Sequence, residues 1–461
     1  MGESARWPEP GRDTRALPIC VFLTRTERRT LVEPDVTRIE EVIVGLADVR
    51  ILTASDNGEH LVIVFESTLE RPSCPTCSKS VHLKDRRDLA LVDLPYRGRP
   101  AQLIWRKRRW RCSDPACSQP TWTEQDERIA FPRHSMLTRA GRWVTYQVGK
   151  CARSVNELAR ELGCHWHTIN DAVVAFGEAL LDDDSNRIGV VHALGLDEVL
   201  FVRLGTWHRK FFTTSIVDVG TGQLLDIVAG RSGKEPKAWL KKRGPEWLSQ
   251  IRACALDLSG PYRAVYNAAV PHATIVADPF HVVKHANSKV DECRRRIQNE
   301  VYGHRGHKND PLYRIRRLLT MAHERLDVNG EAKMIGGLRA GDPRGHVDMT
   351  RNAKEAIREL YTCPDPKLAG EWIDELIRDM AEPTFPPEVR SLGRTLSRWR
   401  HEIIAWHETR ISNGPTEAAN NLIKRVKRGA FGFTNFRHYR VRALLYAGKP
   451  NWDLLDSVIP R

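Results

Sequence analysis

Long hydrophobic runs are missing from this chain. The longest apolar stretch near its start, Ala16 to Leu23, is eight residues long, contains Pro18 and Cys20, and gives way to Thr24 and Arg25. A bilayer span needs about 20 apolar residues, and an acidic, proline-containing start makes a poor secretory signal. A membrane protein is therefore excluded, and a soluble cytoplasmic one is expected. Acidic residues are also short, 58 Asp plus Glu against 72 Lys plus Arg, for a formal net charge of +14. Such an imbalance favours polyanionic partners, nucleic acid first. Lysine is scarce beside arginine, 18 against 54, which either a GC-rich genome or selection for phosphate-binding guanidinium groups produces. With 461 residues the chain has room for about three domains.

Ten cysteines are present, and in a reducing compartment paired spacings among them read as metal sites before disulfides. Cys74-Pro-Thr-Cys77 is followed after 34 residues by Cys112-Ser-Asp-Pro-Ala-Cys117. Two short cysteine loops can enclose a tetrahedral Zn²⁺ with no open position, a structural site of the zinc-ribbon kind. Ahead of them, alternating runs on either side of Asp56-Asn57-Gly58 read as a hairpin. Between the pairs, residues 84–111 carry ten Lys/Arg and three Asp. Arg106, Lys107, Arg108, Arg109 and Arg111, interleaved with Trp105 and Trp110, are candidate phosphate contacts.

Residues 154–176 read as a helix-turn-helix. Ser154 and Glu157 make a capping-box pair, Leu158, Ala159 and Leu162 an apolar face, and Gly163 the turn. In the second helix Ile169, Ala172 and Val173 face inward, leaving His165, Trp166, His167, Asn170 and Asp171 for a DNA groove. Past an acidic linker around residues 182–186 the texture turns to strands. Three β-rich runs are followed by alternating helix and strand, which suggests a ribonuclease-H-like α/β core. Asp197 lies in the first of its strands and Asp257 ends the fourth. As central neighbours they could converge on hard cations such as Mg²⁺, and phosphodiester chemistry uses two such ions about 3.5 to 4 Å apart. A third carboxylate is available near the end of the chain: Pro415 suits a first helical position, which puts Glu417 in the first turn with Asn421 and Lys424 on its face. From Lys424 to Arg442 seven Lys/Arg and no acid alternate with Phe431, Phe433, Phe436 and Tyr439, a surface on which Lys424, Arg425, Lys427 and Arg428 could track a nucleic-acid backbone.

The order CPTC, CSDPAC, helix-turn-helix, GLDEVLF, ALDLSGPY, ADPFHVVKHAN and SNGPTEAANNLIKRVKRGAFGFTNF closely resembles the ISL-three family of bacterial insertion-sequence transposases, from about residue 40 to residue 448. The resemblance implies a zinc-binding N-terminal domain, a helix-turn-helix, and a ribonuclease-H-like DDE core interrupted by a helical insertion. It places the catalytic triad on Asp197, Asp257 and Glu417, and likens Asp278-Pro-Phe-His281 to the Asp/Cys-x-x-His signature of related DDE transposases. It implies a DNA transposase that recognises terminal inverted repeats, cleaves and joins with Mg²⁺ or Mn²⁺, acts on target DNA, and works as a homo-oligomer at the bacterial nucleoid.

The expected organisation is then a multidomain α/β chain. It comprises a tail (1–36), a β-rich zinc ribbon (37–132), a helix-turn-helix (133–184), the first part of the core (185–287), an all-α insertion (288–408), and the catalytic helix with its basic segment (409–461). Pro383, Pro386 and Pro387 mark a loop within the insertion, and Trp399 and Trp406 are expected in its core. The competing readings are a non-catalytic DNA-binding regulator derived from a transposase, and a ribonuclease-H-like nuclease that cuts without joining.

Overall fold

The computed structural model describes residues 44–56, 58 and 60–460. The tail over 1–36 and Asn57 of the expected turn lie outside the described residues. β1 (Val49–Asp56) and β2 (Leu61–Ser67) pair antiparallel. β3 (Val81–Tyr96) and β4 (Arg99–Cys112) form a long hairpin closed by Arg97 and Gly98 at φ 53° and 76°. Two successive positive-φ residues match the right-handed twist of the flanking strands. β4 also pairs in parallel with β2 and antiparallel with β5 (Thr121–Thr123). Val81 lies opposite Cys112, so the 34 residues between the cysteine pairs are a hairpin that carries the chain out and back to where it began.

One face of this sheet packs on three helices, α1 (Thr138–Gly149), α2 (Val155–Glu161) and α3 (Trp166–Asp183). Ser154 caps α2 by accepting from the Glu157 N–H at 3.1 Å, and Gly163, at φ 61°, turns the chain into α3. Phe65, Leu103 and Trp105 from the sheet share a single core with Leu158, Ile169 and Phe176 from the helices. The expected boundary at 132/133 therefore cuts through one core, because neither the sheet face nor the short helices can bury their apolar side alone.

The second sheet is built from β6 (Ala193–Leu204), β7 (Arg209–Asp218), β8 (Gln223–Ala229), β9 (Ala253–Leu256) and β10 (Thr274–Ala277). Helices α4 (Lys234–Lys241) and α5 (Gly260–Ala269) lie between the later strands. The strand order is β10-β9-β6-β7-β8, with β6, β7 and β8 antiparallel and β6, β9 and β10 parallel. Side-chain alternation divides the apolar residues between its faces. Leu194, Leu196 and Ile216 meet Tyr262, Tyr266 and Ile403 on one side, while Val199, Val217 and Ile227 meet Ile423 and Tyr439 on the other.

After β10 the chain enters α6 (Pro279–Tyr302), one continuous helix, so the expected boundary at 287/288 falls inside it. The chain stays helical through α7 (Val328–Gly341), α8 (His346–Leu360), α9 (Pro366–Asp379), α10 (Pro387–Arg398) and α11 (Arg400–Thr409). The proline cluster forms the loop before α10, with Pro387 in its first turn. Val290, Ile297 and Met334 make a small separate core, while Ile357, Ile373 and Leu392 join the core of the sheet. Trp399 is buried and Trp406 half-buried. α12 (Gly414–Gly429) and α13 (Phe436–Ala447) cover the opposite face of the sheet. Among the described residues no helix is long and apolar enough to cross a membrane.

Candidate active site and metal centre

β6 and β9 run parallel with Gly195 opposite Ala255. Two residues further along each, Asp197 lies inside β6 and Asp257 just past the end of β9, close enough for each to feel the other's charge. Leu258, directly after Asp257, sits in the left-handed region at φ 61°, a strained turn that swings the chain from β9 towards α5. The carboxylate of Asp197 is held at both oxygens. Oδ1 accepts from the Glu198 N–H at 2.7 Å and Oδ2 from Asn420 Nδ2 at 2.6 Å. Asn420 is itself fixed by Ser215 Oγ, 2.8 Å from its Oδ1. Burial, then the charge of Asp257, pushes the Asp197 carboxyl up to about 6, against the pull of the Glu198 N–H, His281 and Asn420. Burial likewise raises Asp257, opposed chiefly by His281. Asp257 Oδ1 is buried with no hydrogen-bond partner, an arrangement folding does not favour unless something else satisfies the oxygen.

Glu417 enters from the first turn of α12, and its Oε1 accepts from His281 Nε2 at 2.9 Å. Asp278 caps α6, and its Oδ1 accepts from the Asn413 N–H at 3.0 Å. The Asp278-x-x-His281 turn thus grips the start of α12 at two points, one on the backbone and one on the Glu417 carboxylate. Burial raises Asp278, opposed by the Asn413 N–H. Close approach of α12 to β6 depends on Gly195, where an added Cβ would lie 2.1 Å from Thr416 Oγ1 and 2.9 Å from Val219 Cγ2. The oxygens of Asp197, Asp257 and Glu417 do not all fall within 4.8 Å of one another. Among the described residues only the four cysteines form such a group of three or more possible ligands.

At the end of the β3–β4 hairpin Cys74 Sγ lies 3.7 Å from Cys117 Sγ, and Cys77 Sγ lies 3.4 Å from Cys112 Sγ. Four thiolates at a Zn–S distance of about 2.3 Å stand about 3.8 Å apart at the corners of a tetrahedron. The four sulfurs are already near that spacing, packed on Val81, Trp110 and Trp122.

Residues 194–443 match the profile of a family described as transposase, of the ISL-three type, and residues 70–133 match the zinc-finger of transposase IS204/IS1001/IS1096/IS1165. The chain belongs to the ISL-three transposase family. It is 25% identical over 414 residues to the transposase for insertion sequence element IS1001 of Bordetella parapertussis, covering 86% of this chain and 94% of that one. It is also 25% identical over 364 residues to the transposase for insertion sequence element IS1557 of Mycobacterium tuberculosis, covering 71% and 78%. A solved Drosophila P element transposase strand transfer complex matches at TM-score 0.35 and 11% identity over 69% of this chain and 94% of that one, a likeness too slight to bear on the fold. The protein is a DNA transposase with an N-terminal zinc ribbon, and Cys74, Cys77, Cys112 and Cys117, which lie within that ribbon, form a group that could hold its structural zinc.

The basic run of the transposase on β4 is less free than its sequence implied. In a strand alternate side chains turn inward, and Lys107 is buried, donating to Gln125 Oε1 at 2.7 Å above the Trp105 ring. It is withdrawn as a phosphate contact, and Trp105 and Trp110 are core residues. Arg108 pairs with Glu124 at 2.7 Å and Arg109 with Asp85 at 3.0 Å, both largely covered. Arg106 pairs with Asp88 at 3.1 Å near the surface, and Arg111 is exposed.

At the start of α3, the N-cap His165 and then Trp166 and His167 are exposed, but Asn170 is only 1% exposed and lies 3.3 Å from His438 Nδ1 of α13. It is corrected from a groove-facing to a packing residue, because α13 covers that side of α3. On α12, Lys424, Arg425 and Arg428 are exposed, whereas Lys427 donates to the Leu200 carbonyl. Tyr439 is buried, and Phe433 and Phe436 pack beside it. Sequence reasoning missed Asn420. It picked the exposed Asn421, although Asn420 lies three residues after Glu417 and so shares its helix face. It also passed over Gly195, although a glycine inside a strand often marks a close approach.

Proposed function

We propose that the transposase cleaves and joins DNA at a divalent-metal centre carried by Asp197, Asp257 and Glu417. The observation that carries this reading is the unpartnered, buried Asp257 Oδ1, just past the end of β9, beside the Asp197 carboxylate inside the neighbouring β6, with Glu417 in the first turn of α12. An all-oxygen, anionic donor set suits Mg²⁺, with Mn²⁺ as a substitute. Two such ions, when bound, would supply activation of a water or a 3′ hydroxyl and stabilisation of the leaving oxygen. The protein's own contribution is placement. Asn420 and Ser215 hold Asp197 in one rotamer, Asp278 anchors the start of α12, and His281 keeps Glu417 turned towards the aspartates. Water attack on the phosphodiester at the element ends frees a 3′ hydroxyl, which then attacks target DNA in line, with no covalent enzyme intermediate.

Three antiparallel strands followed by two parallel ones support a ribonuclease-H-like core, and the α2–α3 pair supports a helix-turn-helix whose exposed His165, Trp166 and His167 meet DNA. With Arg106, Arg111, Lys424, Arg425 and Arg428 they would bind the terminal inverted repeats and the target as a homo-oligomer. The organisation we favour keeps the insertion between β10 and α12 but joins the ribbon and the helix-turn-helix into one body.

Purified protein incubated with Mg²⁺ and its own element ends tests this reading. Asp197→Asn, Asp257→Asn and Glu417→Gln should each fold and bind end DNA while losing cleavage and joining together. Mn²⁺ should replace Mg²⁺, and Ca²⁺ should support binding with little turnover. Cleavage by Glu417→Gln at the unmutated rate would remove Glu417 from the triad. Inactivity of the unmutated protein on correct ends would favour a DNA-binding regulator.

A further inference from the structure

A cleft of about 540 Å³ opens between the start of α3, the middle of β6 and the turn joining α12 to α13. Its walls carry the rings of Trp166, Phe201, Phe431 and Phe433, the cations Arg203, Lys427 and Arg442, and no acid. Arg442 is 5% exposed. Among the described residues no carboxylate pairs with it, and its Nε is buried without a hydrogen-bond partner. Its guanidinium lies over the Phe433 ring, 5.0 Å from the centroid. Burial pulls its pKa down to about 10, which leaves it a cation at neutral pH. A buried, unpaired charge is costly to keep, so a protein that retains one has an anion in prospect for it.

Phe431 is the second irregularity. Its N–H donates to the Arg428 carbonyl at 3.1 Å and the Gly432 N–H to the Lys427 carbonyl at 2.9 Å, the pattern that closes a helix through a left-handed residue. That position favours glycine, because a Cβ is strained there. Here it holds a phenylalanine at φ 55° with 93% of its surface exposed. Packing repays none of that strain.

We propose that this cleft holds one unstacked nucleotide of the bound DNA, its base against Phe431 and Trp166 and its phosphate on Arg442. Aromatic faces accept any base, and an acid-free wall with a buried guanidinium accepts the phosphate. The inference rests on the reading of the chain as a DNA transposase with its chemistry at Asp197, Asp257 and Glu417. Leu200 to Arg203 follow Asp197 along β6, and Lys427 follows Glu417 along α12. At about 3.3 Å per strand residue and 1.5 Å per helix residue the cleft lies about 10 to 20 Å from the carboxylates. That is about three to six nucleotides of one strand at about 3.4 Å each. The unstacked nucleotide therefore belongs to the DNA flanking the scissile phosphate.

The test uses the full chain with Ca²⁺ in place of Mg²⁺, titrated with labelled duplex, either blunt or carrying an unpaired overhang of about five nucleotides that includes 2-aminopurine. The overhang duplex should bind about tenfold more tightly than the blunt one, and stacking should quench the 2-aminopurine fluorescence. Phe431→Gly relieves the left-handed backbone and Arg442→Met removes the buried charge, so both should melt no lower than the unmutated protein. Each should erase the preference and the quench while binding blunt duplex unchanged. Equal affinity of the unmutated protein for blunt and overhang duplex overturns the cleft assignment, as does a preference and quench that persist in both variants. Failure of the unmutated protein to bind either DNA overturns the transposase reading, and the cleft with it.

Discussion

Gly195→Ala is the sharpest test of how the active centre is assembled. The new methyl would lie 2.1 Å from Thr416 Oγ1 and 2.9 Å from Val219 Cγ2. Restoring an ordinary contact of about 3.4 Å requires α12 to lift by roughly 1.3 Å at its N-terminus, since β6 is held on both sides by β7 and β9 and cannot yield. Overpacking of this kind costs about 1 to 3 kcal/mol. Thr416 immediately precedes Glu417, so the displacement is passed almost whole to the third carboxylate. It also stretches the 2.6 Å bond from Asn420 to Asp197. A misplacement of about 1 Å in reacting groups costs on the order of 10²-fold in rate. Cleavage of end DNA by Gly195→Ala, followed by single-turnover kinetics at saturating Mg²⁺, should therefore fall by roughly that factor. End binding, measured by anisotropy, should stay unchanged. Gly189→Ala is the control, because an added Cβ there meets nothing within 4 Å and both stability and rate should hold. Cleavage by Gly195→Ala within about twofold of the unmutated rate would refute the argument that this glycine sets the distance between α12 and β6.

Elemental analysis should find one Zn²⁺ per chain, and Cys77→Ser should lower occupancy and thermal stability together, because the closed four-thiolate site stabilises the end of the β3–β4 hairpin. The raised Asp197 predicts a pH dependence of the metal-free protein. Its folded pKa of about 6 exceeds the ordinary value of 3.8, so the native state binds the extra proton and stability falls as pH rises from about 4 through 6, by up to about 3 kcal/mol. Asp197→Asn should flatten that slope in urea melts and raise stability at pH 7, whereas an unchanged slope would mean that Asp197 is not buried as described. Asn420→Ala should cut kcat without changing end-DNA affinity and raise the Mg²⁺ concentration needed for half-maximal rate, because Asn420 holds the Asp197 carboxylate in place.

Local signals in the chain were enough for many of its elements, and the order of its motifs for its family. The Cys74–Cys77 and Cys112–Cys117 loops, the Ser154 cap, the strand that carries Asp197, the strand end at Asp257, and the Pro415 start that places Glu417 in a first turn all depend on a few neighbouring residues. Their physics is local: turn geometry, capping and side-chain period. What lay beyond the sequence was the set of partners that individual side chains meet in the folded chain. Lys107 sits in a basic run yet is buried, because the pairing of β4 with β5 brings Gln125 onto it above the Trp105 ring. Asn170 has a groove-facing position on an isolated helix, but α13, more than 250 residues later, covers it. Asn420, and not Asn421, reaches Asp197, since only the crossing of α12 over β6 selects between adjacent side chains. Arg442 belongs to a charged segment by sequence, and only the packing of α13 against Phe433 leaves it buried without a counter-charge. Local patterns decide which way a side chain can point; tertiary packing alone decides what it meets there, because that partner is brought in from elsewhere in the chain.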